Sequence, residues 1–197
     1  MDEETRSERY AAQLSKREGA RWKHLLNVQA PFRWNLRRLG LGFTLDVGCG
    51  IGRNLVAIEG VGVDHNPASV AIARDRGMVA FTPEEFAESE FATPNRFDAM
   101  LLAHVVEHMT RDEAVALIGR YLPHIHPGGK VVLIAPQEAG FRTDDTHVEF
   151  MDKAALRLLL TSNGLSVEKE ASFPLFRSAG RFLRYNEFLA VGAKQRP

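Results

Sequence analysis

The sequence predicts an α/β protein: one doubly wound sheet, mostly parallel, with a C-terminal antiparallel hairpin strand and an N-terminal helical extension. Three observations predict it. An apolar, β-prone lead-in (Phe43, Leu45, Val47) carries one acid, Asp46, and runs into three alternate glycines, Gly48, Gly50 and Gly52. An acid, Asp64, closes a second β-prone run 18 positions after Asp46. From Phe43 onward, strand and helix signals alternate, the pattern of βαβ units and a parallel sheet.

Before the first strand, residues 3–28 are charged and free of proline, and Tyr10, Leu14, Trp22, Leu25 and Leu26 form an apolar stripe at helical spacing. Pro31 opens a second short helix, Phe32 to Leu39, ending at Gly40. Residues 1–40 are therefore read as N-terminal helices on the substrate side, and 41–197 as the main domain. Strands are expected at 43–47, 60–63, 78–81, 97–103, 129–135, 165–170 and 185–193. Helices are expected at 53–58, 67–76, 83–88, 110–121 and 152–162. Asn66-Pro67 and the Thr110/Glu113 pair are helix-start signals, the second a capping box. The connection 171–184 has no helical pattern, which suits a late antiparallel hairpin.

Composition narrows the function. With 25 Lys plus Arg against 25 Asp plus Glu, the formal net charge is zero, which argues against tight binding to a nucleic-acid backbone. The single cysteine, Cys49, lies inside the glycine loop, so no intrachain disulfide can form, consistent with a reducing compartment. No apolar run approaches a membrane span, and the acidic start is unlike a secretory signal, so a cytoplasmic protein is expected.

The loop also narrows the ligand. G-x-G-x-x-G seats a pyrophosphate at a helix N-terminus, whereas this chain has G-x-G-x-G, and no Gly-Lys-Ser/Thr follows to make a P-loop. An acid about 20 residues on accepts hydrogen bonds from ribose hydroxyls. The spacing thus points to an adenosine-like group with no phosphate requirement.

The run of motifs from Phe43 to Lys194 resembles the class I S-adenosylmethionine-dependent methyltransferases, especially the small type 11 branch with its quinone- and sugar-methyltransferase-like members. It is carried by Asp46-Val-Gly-Cys-Gly-Ile-Gly52, Val63-Asp64, Phe97-Asp-Ala-Met-Leu-Leu-Ala-His104 with Glu107-His108, Leu122 with Pro127-Gly-Gly-Lys130, and Asp145-Thr-His-Val-Glu-Phe150. The resemblance implies a single-domain Rossmann-like fold, S-adenosyl-L-methionine as cofactor and S-adenosyl-L-homocysteine as product. It implies that Gly48, Cys49 and Gly50, in the loop closed by Gly52, approach the methionine and ribose portions, with Asp46 near the amino acid end. Asp64 would hold the ribose diol beside His65. Adenine would lie near Thr82, Glu84 and Glu85, although many relatives place an Asp where this chain has Thr82-Pro83. Leu102, Ala103 and His104 would border the transferable methyl group.

A hydroxyl acceptor needs a general base, and histidine, with an ordinary pKa of about 6.5, suits that task. His104, at a strand end, and His147, in the loop after the fifth strand, are the candidates; His108 is read as structural. His104-Val-Val-Glu-His108 also matches the H-x-x-E-H zinc motif, which requires both histidines on one helix face. Here the motif follows a strand-like run, so a zinc peptidase is not expected. His124-Ile-His126 reads as a solvated loop, and no metal site is assigned. The expected acceptor is a small molecule or glycan-like compound, methylated at oxygen, in a site built from the N-terminal helices, 137–150 and 173–182. Phe173, Phe176 and Phe182 would wall it, and Arg177 and Arg181 at its rim would suit an anionic acceptor. The alternatives are an RNA methyltransferase, favoured by the clusters Arg33/Arg37/Arg38 and Arg177/Arg181/Arg184, and a non-catalytic domain binding S-adenosylmethionine or its demethylated product. A monomer or homodimer is expected.

Overall fold

The computed structural model describes residues 30–196; the apolar stripe expected across 3–28 lies outside them. Helix α1 (Ala30–Arg38) has Pro31 in its first turn and Arg37 and Arg38 in its last, where they complement the helix dipole. Strand β1 (Thr44–Val47) leads through the glycine loop to β2 (Gly60–Val63). Helix α2 (Pro67–Asp75) is capped by Asn66, whose side chain accepts the Ala68 and Ser69 N–H groups. After β3 (Ala80–Phe81), a Thr82/Glu85 capping box starts α3 (Pro83–Glu88). Strand β4 (Phe97–Ala103) passes through a 3₁₀ turn, Val106–His108, to α4 (Arg111–Tyr121), started by the Thr110/Glu113 box as expected. Then follow β5 (Ile125–Pro136), short α5 (Glu138–Phe141), α6 (Lys153–Ser162) capped by Asp152, β6 (Ser166–Phe173), a 3₁₀ turn at Arg177–Arg181, and β7 (Glu187–Ala193).

The seven strands lie in the order β3-β2-β1-β4-β5-β7-β6. All pairings are parallel except those of β7, which runs antiparallel to both β5 and β6. The strand order reverses at β1/β4, so a crevice opens beyond the carboxyl ends of these two strands. Along β4, Met100 and Leu102 face one layer and Ala99 and Leu101 the other, as the two-residue pleat requires. The first layer packs on α4 and α6 through Ala114, Ile118, Leu156 and Leu159. The second meets Leu36 of α1 and Leu41, and α2 packs its Val70 and Ala73 near Cys49 and Leu55.

Two local expectations are corrected. Residues 53–58 form turns rather than a helix, closed by single bonds such as Ala57 N–H to Asn54 O at 2.8 Å. Three left-handed glycines spend the preceding residues on reversing the chain, and too few remain for a nucleated helix. The fifth strand, expected over 129–135, begins earlier and takes in Pro127 and Gly128, because the β4/β5 register shifts between Phe97 and Ala99 and absorbs the irregular backbone. No helix among the described residues is long and apolar enough to cross a membrane.

Candidate active site

The glycine loop is pinned across the end of β2. Gly48 and Cys49 N–H both donate to Val63 O, at 2.7 and 3.1 Å, and Gly50 N–H donates to Asp64 Oδ2 at 2.7 Å. The other Asp64 oxygen accepts Asn66 N–H at 2.9 Å. A side chain at Gly48 would strike Val105, its Cβ falling 2.4 Å from Cγ2, whereas a Cβ at Gly50 would meet nothing within 4 Å. Gly50, at φ +53°, therefore keeps an open space open.

That space is a cleft of about 330 Å³ floored by Gly48, Cys49, Gly50 and Ile51. Its other walls come from α1 (Phe32, Asn35, Leu36), the end of β4 (Ala103, His104), Ile134, and the approach to β7 (Arg184, Tyr185, Glu187). The volume is at the lower end of the range that holds small ligands. A roomier depression lined by Pro83, Phe86, Tyr121 and His124 shares no residue with it.

Beneath the loop, Asp46 is fully buried. Its Oδ1 accepts from Asn54 Nδ2 at 3.4 Å, while Oδ2 has no partner among the described residues. Burial pushes its carboxyl up to about 7, the Asn54 bond opposing and the Asp64 charge adding to the effect. An orphaned buried carboxylate oxygen beside a space kept open by glycine fits a ligand carrying a cationic amino group. Burial likewise pushes the Cys49 thiol well up, so it is a packing residue and not a nucleophile.

His104 has the left-handed φ of +59°, uncommon outside glycine, and is held there by its N–H to Ile134 O bond of 2.9 Å. Its Nε2 lies 2.6 Å from Glu187 Oε1 and its Nδ1 3.3 Å from Glu107 Oε1. Burial alone would lower its pKa, but the Glu187 charge and then the Glu107 contact outweigh this and hold the ring up at about 10. About half of the side chain, 47%, remains exposed, facing the cleft that it lines. Burial also raises the Glu187 carboxyl, with His104 opposing. Glu187 was not anticipated from sequence. It is fixed by a buried network in which Gln137 Nε2 donates to Glu187 O at 2.9 Å and Asn186 Nδ2 to Gln137 Oε1 at 3.1 Å.

The structure thus brings Gly48, Cys49, Gly50, Ala103 and His104 together in one cleft, with Asp46 and Asp64 supporting it from below and beside the loop. Gly52 packs toward Met78, Leu102 is fully buried in the core, and the side chain of His65 is 90% exposed. Thr82 and Glu85 lie outside the cleft lining. The Thr82 hydroxyl accepts Glu85 N–H, and the Glu85 carboxylate accepts Thr82 N–H at 2.8 Å and pairs with Arg74 at 2.6 Å. Their polar groups start a helix, and Glu84 lines the separate depression. His147 is not in the cleft lining; it stacks on Phe141 and meets His108 edge-on. Of the expected acceptor walls, Phe173 packs against Phe32 and Trp34, while Phe176 and Phe182 are exposed. Arg177 is paired with Glu138. His124 and His126 point apart, to Thr93 O and to Asp98.

The strand order and a glycine loop facing a cleft at the order reversal define an α/β methyltransferase-type fold. Residues 44–129 match a family described as a methyltransferase domain. A chain in the complex between the Haloferax volcanii Trm112 methyltransferase activator and the putative methyltransferase superposes with TM-score 0.71 at 17% identity, covering 100% of this chain and 99% of that one. A possible histamine N-methyltransferase from Thermotoga maritima gives 0.65 at 17% identity, covering 95% and 98%. An S-adenosylmethionine-dependent methyltransferase from Archaeoglobus fulgidus gives 0.60 at 17% identity, covering 87% and 99%. No curated protein matches in sequence. Residues 44–129, which hold the glycine loop, Asp64 and His104, thus match a methyltransferase domain within the fold of S-adenosylmethionine-dependent methyltransferases, which supports an enzyme with S-adenosylmethionine as its cofactor.

Proposed function

We propose that this enzyme methylates an oxygen of a small-molecule or glycan-like acceptor. One observation carries the reading: a single cleft runs from the glycine loop to the His104–Glu187 pair, flanked by α1 and by Arg184 and Tyr185. When bound, S-adenosylmethionine supplies an already activated methyl group, so the protein's work is alignment and exclusion of water. The backbone of Gly48, Cys49 and Gly50 would hold the cofactor, and Asp46, buried beneath the loop with an orphaned oxygen, would attract its amino group. Asp64 retains lone pairs for the ribose hydroxyls after accepting Gly50 and Asn66 N–H, and His65 lies at the rim. Ala103 and His104, with Leu102 packed behind them, border the reacting centre.

An acceptor O–H entering beside Ala103 meets the His104–Glu187 pair. Glu187 receives the proton, and His104, bonded to the same carboxylate, orients it. His147, outside the cleft lining, is not assigned this role. Arg184 supplies positive charge at the mouth for an anionic acceptor. The arginine clusters give little support to an RNA substrate: Arg177 is bound to Glu138, and Arg38 lies 5.0 Å over Trp34. The test is a mass-resolved screen of hydroxylated small molecules and RNA against the purified enzyme with labelled cofactor. Label in hydroxylated small molecules supports the reading; label in RNA alone overturns it.

A further inference from the structure

We propose that Glu107, His108 and His147 bind one divalent transition-metal ion, with Zn²⁺ the ion their donor set suits best. Each offers a ligand atom within 4.8 Å of the other two. Ligands of a tetrahedral Zn²⁺ lie about 3.4 Å apart, so the most widely spaced pair must draw in by up to about 1.4 Å. Two imidazoles and one carboxylate favour a borderline metal over Mg²⁺ or Ca²⁺, which prefer oxygen alone.

The Glu107 side chain is fully buried, yet neither carboxylate oxygen has a hydrogen-bond partner among the described residues. His104 Nδ1 lies 3.3 Å from Oε1, an ion-pair distance. The protonated His104 ring compensates charge on the Oε1 side, and Oε2, with no hydrogen-bond partner among the described residues, is the oxygen left for a second cation.

Hydrogen bonds fix the tautomer of both imidazoles. His147 Nδ1 lies 2.6 Å from Phe141 O, and a carbonyl can only accept, so Nδ1 carries the proton and Nε2 the lone pair. His108 Nδ1 lies 3.3 Å from Thr146 O and 3.1 Å from Thr146 Oγ1, whose own proton goes to Asp144 Oδ1 at 2.7 Å. The same tautomer follows. Backbone carbonyls that hold Nδ1–H in this way are the usual outer partners of metal-binding histidines.

The chain also brings the parts into register. Val148 and Glu149 N–H both donate to Glu107 O, at 2.8 and 3.3 Å, and Glu149 pairs with Arg111 at 2.6 Å. The loop bearing His147 is thereby fastened to the turn bearing Glu107 and His108. This is not the zinc-peptidase arrangement of H-x-x-E-H, since His104 is left out and the third ligand is 39 positions beyond His108. Three protein ligands leave a coordination position for water or an acceptor oxygen.

Full-length protein, stripped with chelator, should bind one equivalent of Zn²⁺ in calorimetry with a Kd of about 1 μM or tighter, and Co²⁺ should give a ligand-field spectrum. His147→Ala and Glu107→Gln should each weaken binding at least 100-fold, while His126→Ala leaves it unchanged. His147 sits on a half-exposed loop, so its variant reports even where Glu107→Gln fails to fold. Absence of saturable binding, or binding that survives both His147→Ala and His108→Ala, overturns the site. Titration of S-adenosylhomocysteine into the same samples separates loss of the metal site from failure of the cofactor assignment.

Discussion

The Asp64 carboxylate receives the Gly50 N–H at 2.7 Å, so the acid that closes β2 also sets the shape of the loop that ends β1. Its second oxygen holds Asn66, the cap of α2. Asp64→Ala should therefore do two things. It strands two backbone donors, costing about 1–3 kcal/mol of stability, and it removes the ribose acceptor. Calorimetry with S-adenosylhomocysteine should show at least a tenfold loss of affinity. A stability loss with unchanged affinity would leave Asp64 a purely structural role.

Gly50→Val tests the direction in which the loop opens. The fold has room for the side chain, although a left-handed φ costs a residue with a Cβ about 1–2 kcal/mol. The variant should fold with a modestly lower melting temperature and show no measurable cofactor binding. Retained affinity would mean that the cofactor does not occupy the space in front of Gly50.

What sequence conveys here is what neighbouring residues decide among themselves. Thr110 and Glu113 form their capping box because both partners lie within one turn, and the spacing from Asp46 to Asp64 reflects one crossover between adjacent parallel strands. The 53–58 segment misled because its composition suits a helix while the glycines before it consume the crossover. Glu187 was invisible for a different reason: its partner His104 is 83 positions away, and only the placement of β7 beside β5 brings them together. The meeting of His147 with His108 is equally non-local. A faint signal for Glu187 existed, since an acid heads the apolar run Phe188-Leu-Ala-Val191.

Thr82 and Glu85 form a capping box that was not anticipated from sequence, and it carries a sharp expectation. Thr82→Ala should lower stability by about 0.5–2 kcal/mol, the usual worth of an N-cap. Cofactor affinity should change less than threefold. A tenfold loss of affinity with little loss of stability would return this segment to the adenine site.

Asp46 links pH to stability and binding in opposite senses. Its carboxyl rises from the ordinary 3.8 to about 7 in the folded protein, so between these values the folded state holds a proton that the unfolded chain does not. Its contribution to stability is complete at acid pH and is lost as pH rises toward 7. Asp46→Asn should flatten that slope and unfold at an equal or higher temperature at pH 7.5. Cofactor affinity of the native enzyme should instead fall as pH drops below about 7, and the variant should bind at least tenfold more weakly without that pH dependence. Thermal melts and calorimetry across pH 5.5 to 8 check both halves.

Proton removal from the acceptor is assigned to the His104–Glu187 pair, and two variants divide the labour. Glu187→Gln keeps a partner for the His104 ring but loses the proton acceptor. It should depress kcat by about 100-fold or more, within the range for general-base catalysis, with cofactor affinity changed less than threefold. His104→Ala leaves the carboxylate but not its orientation, so a smaller kcat loss is expected. Because Gln137 and Asn186 hold the Glu187 backbone independently of its side chain, neither substitution should displace β7. Steady-state kinetics with an identified acceptor, beside S-adenosylhomocysteine titrations, read both effects. Full turnover in Glu187→Gln would move the proton to another group in the cleft.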